Sequence, residues 1–345
     1  MLELRQLPDV TICWAQAALA ASKRFGDLAA EAAQLNLLGN AHRALGKTKY
    51  AKELFERALR ISRRLEDSSE QRWTLGNLAN ALGDLGETAQ AIECYEQSLA
   101  LTRQLGDRRA EAAILGNLGM AYADLGNPDR AIEYHEQNLA VAREIGDRKS
   151  EAIALGNLGN AYADLHKTSL ALDCYEQSLD IAREIGDRQG EGIVLGDLGS
   201  LYADQGQPQL AIERYQEHLV VARQTGDRRS EAITLGNLGN ISLGAGDTGS
   251  AIQLYQQHLT IAYEIGDRRN QAMALGYLGQ AHAARGDWSN AVEWYQQALR
   301  MFRRLGDRKR EAITLTLLRA AKTELQQAHG LANSAKRERR DRKNC

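Results

Sequence analysis

Leu155–Leu165 reads LGNLGNAYADL, and versions of this string begin at Leu75, Leu115, Leu195, Leu235 and Leu275, so the pattern returns every 40 residues. Frayed copies begin at Leu35 and Leu315. A fixed period of this length marks a stacked array, in which each unit buries its apolar face against its neighbours and the whole offers an extended surface. Length alone would allow two or three globular domains in 345 residues. One unbroken period predicts a single elongated domain instead.

Around the string, each period spells two helices. In the stretch 108–145, Asp107 is placed to cap a first helix that runs to about Leu125, and Gly126 ends it. Asn127 then caps a second helix, with Pro128 in its first turn, and Gly146 closes it. A Gly-Asp pair recurs at 106, 146, 186, 226, 266 and 306, so a left-handed glycine ends one helix and an aspartate opens the next with no spare linker. Such short turns force antiparallel packing. Leu115, Leu118 and Tyr122 share one face of the first helix by their spacing, and Ala131, His135 and Leu139 form the matching face of the second. Gly119 and its equivalents at 159, 199, 239 and 279 each cost about 1 kcal/mol in a helix, so close packing must compensate.

Composition agrees with an all-helical chain: three prolines, few aromatics and much Ala, Leu, Glu and Gln. The 43 basic and 45 acidic residues nearly cancel, which argues against nucleic-acid binding by the array. No apolar run is long enough for a membrane span and no secretory signal opens the chain, so the expected location is cytoplasmic. Cys94 and Cys174 occupy the same position two repeats apart, too far for a disulfide. The first 27 residues hold a lone second helix, from Pro8 to about Phe25, and its missing partner suggests a cut from something longer. Seven full repeats are expected over 28–307 and a capping helix over 308–330. Residues 331–345, with the basic run Lys336–Cys345, should be disordered.

The Leu115, Leu118, Gly119, Tyr122 and Ala131 pattern resembles the tetratricopeptide signature. The strings LGN, YHEQNLA and EIGDR at 115–117, 134–140 and 144–148 look like the 40-residue subclass found in Pins-type polarity adaptors, kinesin light chains and bacterial STAND ATPases. The resemblance implies an all-α right-handed superhelix of seven helix-turn-helix repeats with flanking half-repeats. The residues themselves, with no nucleophile beside a plausible base and no phosphate loop, lead to the expectation of no enzyme and no cofactor. The G-protein-binding motifs of the polarity adaptors are absent, as is any Walker motif.

Positions 113, 117, 120 and 124 share the side of the first helix opposite its leucines, and in tetratricopeptide proteins that side lines the concave groove. Across the repeats, one row reads Asn77, Asn117, Asn157, Asp197, Asn237. A second includes Asn80, Asn160, Ser200 and Asn240, and a third reads Asp84, Asp124, Asp164, Asp204. An amide both donates and accepts, so such rows suit the main chain of an extended peptide or a disordered partner segment, while hydrogen bonds to a neighbouring helix are the plainer use. The aspartates predict a basic or amide-rich ligand. Trp73, Ile153, Ile193, Ile233 and Met273 are assigned to inter-repeat core, and the glycines at 76, 116, 156, 196, 236 and 276 fit either an open groove floor or helix packing. The basic pairs that open the first helices, such as Arg108-Arg109, are assigned to acidic neighbours rather than to an anion-binding rim. His218 and His258 form a pair with no third ligand and are read as packed residues. No catalytic residues and no metal site are expected. Rival readings are a regulatory arm of a larger signalling ATPase and a self-assembling spacer. The sixth repeat should be the weakest, because Ser242 and Ala245 replace Tyr and Leu while Gly244 and Gly249 add flexibility.

Overall fold

The computed structural model describes residues 8–341, with side chains from 10 to 330. Every secondary-structure element in that span is an α-helix. The chain divides into two compact units, Met1–Asp187 and Arg188–Cys345, where the sequence predicts one domain. The reason lies in the repeat: each helix pair is buried only by its neighbours, so no common core ties distant repeats together.

The first unit holds α1 (Pro8–Phe25), α2 (Leu28–Ala44), α3 (Thr48–Arg64), α4 (Ser68–Asp84), α5 (Thr88–Leu105), α6 (Arg108–Asp124), α7 (Pro128–Glu144), α8 (Arg148–Asp164) and α9 (Thr168–Glu184). The second holds α10 (Arg188–Asp204), α11 (Pro208–Thr225), α12 (Arg228–Gly244), α13 (Thr248–Glu264), α14 (Arg268–Ala284), α15 (Trp288–Leu305) and α16 (Arg308–Asp341). From α2 onward the even-numbered helices open repeats and the odd-numbered ones close them. Asp107 caps α6 by accepting the Ala110 N–H, and Asn127 caps α7 by accepting the Arg130 N–H. Gly126 turns the chain between them at φ +75°. The turn demands that conformation of whatever residue stands there: Glu66 and His166, which occupy glycine positions, adopt φ 54° and 55°.

Leu115, Leu118 and Ala131 are fully buried and His135 nearly so. The glycines explain themselves here. The ring of Tyr175 lies over Gly159, where a Cβ would stand only 2.5 Å from it, and a Cβ at Gly199 or Gly279 would stand only 2.6 Å from the rings of Tyr215 and Tyr295. The absent methyl is the room that the ring fills, which offsets the loss of helix propensity. The second glycine row also packs: Gly116, Gly156 and Gly236 face Asn138, Ser178 and His258.

The basic pairs at the helix starts are tied down. Arg103 and Arg108 converge on buried Glu111, and Arg143 and Arg148 on buried Glu151. Arg108 and Arg148 also reach Glu144 and Glu184 at the ends of the following helices, while Lys149 pairs with Asp187 at 2.9 Å. Burial pulls the Glu151 carboxyl up, but hydrogen bonds from Arg143 and Arg148 outweigh it and the net pKa lies below the ordinary value. A depressed carboxylate stabilises above its unfolded pKa of about 4.3, and the benefit is lost as pH falls through the folded pKa. Glu151→Gln should therefore lower the melting temperature at pH 7 by more than it does at an acidic pH below the folded pKa. Equal losses at both pH values would remove the charge from the explanation.

In the sixth repeat, α12 keeps its full length. Ser242 forfeits the hydrogen bonds that Tyr122 and Tyr162 make to Glu96 and Glu136. Ala245 forfeits less than the sequence suggests, because its equivalent Leu125 is 52% exposed rather than core. Gly244 still costs about 1 kcal/mol of helix propensity, so amides of α12 should exchange faster than those of α8. Equal or slower exchange in α12 would contradict this.

The last helix differs from expectation. It passes the predicted end at 330 and runs to Asp341, so 331–341 is helical where a disordered tail was predicted, in keeping with its Ala, Lys, Arg and Glu content. Residues 342–345 lie outside the described residues. No helix among the described residues is long and apolar enough to cross a membrane.

Candidate binding groove

First helices of successive repeats touch one another directly, α2 with α4 and α6 with α8 in the first unit, and α12 with α14 in the second. Their shared face is where the predicted residues lie. In α8 the stripe runs Ile153, Asn157, Asn160, Asp164, of which Asn157 is half-buried and the others exposed.

In the first unit the three rows have different fates. Asn77, Asn117 and Asn157 are half-buried; the Asn77 Nδ2 has no hydrogen-bond partner, and the side chains of Asn117 and Asn157 make none among the described residues. The second row is partly committed to the fold. The Tyr95 hydroxyl donates to Asn80 Oδ1 at 2.6 Å and the Tyr175 hydroxyl to Asn160 Oδ1 at 2.5 Å, which leaves the N–H groups of these amides for a ligand. In the third row Arg43 neutralises Asp84 at 2.6 Å, while Asp124 and Asp164 are exposed with no ion pair among the described residues.

The second unit repeats the scheme with an acid in the first row. Asp197 is half-buried, and burial pushes its carboxyl up to about 6. Ser200 takes the asparagine position and shares a 3.0 Å hydrogen bond with the Tyr215 hydroxyl, which Asn237 also meets. Asn240 accepts from Tyr255 at 2.8 Å, and Asp204 is exposed. Beneath these residues opens a cavity of about 620 Å³, lined by Ser200, Asp204, Pro208, Tyr215, Asn237, Asn240, Ile241 and Ala245 among others.

The apolar row requires a correction. Trp73 is 55% exposed and Ile153 52%, and in the second unit Ile193 is 59% and Ile233 40% exposed, so these side chains are surface and not inter-repeat core, whereas Met273 is half-buried and packs against the core cluster that holds Leu275 and Phe302, as assigned. The helix geometry accounts for it. Ile153 precedes the core residue Leu155 by two positions, about 200° around the axis, which points it away from the leucine stripe. That offset was the available signal. The groove face therefore carries an apolar edge, a central band of amides and an acidic edge.

His218 shares a 3.0 Å hydrogen bond with Thr234, and burial holds both His218 and His258 below the ordinary imidazole pKa; they are packed residues. No cluster of three metal-binding side chains occurs among the described residues.

Family models described as tetratricopeptide repeat match residues 30–104, 110–184 and 190–264, and further repeat models match 77–140 and 271–305. No curated protein matches the chain. Among solved structures, a signal transduction ATPase with numerous domains from Pyrococcus horikoshii, which carries a tetratricopeptide repeat sensor, aligns with TM-score 0.64 and 18% identity over 94% of this chain and 52% of its own. The apo form of RapI aligns with TM-score 0.63 and 15% identity over 80% of this chain and 99% of its own. A Rap protein complexed with Competence and Sporulation Factor gives TM-score 0.56 and 15% identity over 95% and 89% of the two chains. At these identities the likeness is one of fold.

Proposed function

The chain belongs to the tetratricopeptide repeat family, and on that premise we propose that it is a non-enzymatic, cytoplasmic scaffold whose first-helix groove holds an extended or disordered segment of a partner protein. The observation that carries this reading is that the half-buried amides of Asn117 and Asn157 make no hydrogen bond among the described residues, and that exposed Ile153 and the aspartates Asp124 and Asp164, which have no ion pair among those residues, lie beside them. Unpaired amides serve a ligand's main chain whatever its sequence, the isoleucines take its apolar side chains, and the carboxylates favour a basic or amide-rich segment. A Rap protein of similar fold, complexed with Competence and Sporulation Factor, supports partner capture by such arrays. A second reading, a sensor arm of a larger signalling ATPase, is favoured by the Pyrococcus likeness, because this chain spans about half of that protein.

A photo-crosslinking side chain placed at Ile153, on the groove, and at exposed Glu133, on second helix α7, tests the groove reading. In a native lysate, crosslinks to a partner should form from position 153 and not from 133. Equal yields, or none from 153, would count against the groove.

A further inference from the structure

The cavity in the second unit exists because this stretch departs from the repeat. Where the first unit has Asp164 and Leu165, the second has Gly244 and Ala245, and Ser200 stands where an asparagine is usual. A Cβ added at Gly244 would meet nothing within 4 Å, so the glycine answers no packing need; it leaves space open. The space of about 620 Å³ falls within the usual range of ligand pockets, about 300–1,000 Å³, and exceeds a single side chain.

Its chemistry is one-sided. Pro208, Ile241 and Ala245 form apolar wall, Ser200 and Asn237 add polar groups, and Asp204 contributes a carboxylate with no ion pair among the described residues. No basic residue lines the cavity. Two turns back from Asp204 on α10, Asp197 is half-buried, and both carboxylates bear on the Tyr215 hydroxyl. Negative charge beside a semi-enclosed apolar wall calls for a cation with an aliphatic stem. A guanidinium matches it better than an ammonium, because its planar fork of donors can engage a carboxylate and neighbouring hydroxyl or amide oxygens together.

We propose that this cavity is a socket for an arginine side chain of the bound segment, with the guanidinium on Asp204 and an adjoining apolar residue against Ile241 and Ala245. The inference rests on the groove reading and adds to it the residue that anchors the ligand. It places the anchor where the repeat consensus is broken.

The test uses the full chain and two labelled pentapeptides, acetyl-Gly-Leu-Arg-Leu-Gly-amide and the same peptide with neutral, isosteric citrulline for arginine. The arginine peptide should bind at least about tenfold more tightly, as expected for a charged hydrogen-bonded contact. Asp204→Asn should abolish that preference. Ala245→Leu, which restores the repeat consensus, should fill the space and weaken the arginine peptide by about tenfold or more, while thermal melting shows the fold intact. Equal binding of the two peptides to the wild-type chain, absence of binding up to about 1 mM, or an Ala245→Leu variant that binds as before would each overturn the socket. Crosslinking from Ile153, which lies in the other unit, does not depend on this cavity; its persistence would show that the socket alone had failed.

Discussion

Tyr175→Ala should destabilise the first unit by about 3–5 kcal/mol, the range for deleting a buried aromatic ring, and lower its melting temperature by roughly 6–20 °C. Tyr175 is 2% exposed and its ring occupies the notch left by Gly159. Removing the ring leaves a void that Gly159 cannot fill. Tyr175→Phe separates the causes. It keeps the ring and removes the hydroxyl that donates to Asn160, so it should cost about 1 kcal/mol. Phe55 already fills the equivalent notch over Gly39, so the hydroxyl is dispensable for packing. Urea denaturation of the three proteins checks the ordering, and a Phe variant as unstable as the Ala variant would assign the effect to the hydrogen bond instead.

That ring and notch also show how far the sequence could be read. The fold was legible because its punctuation is local: a Gly-Asp pair needs only its own backbone to end one helix and begin the next. The leucine spacing was enough to identify the buried face. Groove residues were harder, because their roles depend on side chains from another helix. Asn160 lies on the groove stripe, yet its amide oxygen accepts from Tyr175, 15 positions later on the next helix. The link is visible within the chain afterwards: Asn80, Asn160 and Asn240 accompany Tyr95, Tyr175 and Tyr255, whereas Met120 accompanies His135. The apolar edge was misread for a different reason. Residue type alone predicts an inward isoleucine, whereas the two-residue offset of Ile153 from Leu155 turns it outward. The cavity beside Ala245 was legible only as a weakness of the sixth repeat, since the absence of side chains says where packing fails and not what fills the space.

The amide row carries the functional account, and its removal should have the second large effect. Asn117 and Asn157 make no hydrogen bond to the fold among the described residues, so Asn117→Ala with Asn157→Ala removes the proposed ligand contacts without leaving a fold partner unpaired. Two hydrogen bonds at about 1–1.5 kcal/mol each amount to roughly 30- to 150-fold in affinity. Helical content should be unchanged and the melting temperature should move by no more than about 2 °C. Rows one and two can be told apart by the same means: Asn160→Ala removes a hydrogen bond that the fold makes, from the Tyr175 hydroxyl to the Asn160 amide, and should therefore cost stability as well as binding.

The measurement that bears most directly on the groove is partner capture from native lysate by the wild-type chain and by the Asn117→Ala, Asn157→Ala double variant, with melting followed in parallel. The account predicts that the variant loses the partner while melting like the wild type. A variant that melts at markedly lower temperature and still captures the partner would contradict it, because the amides would then belong to the fold.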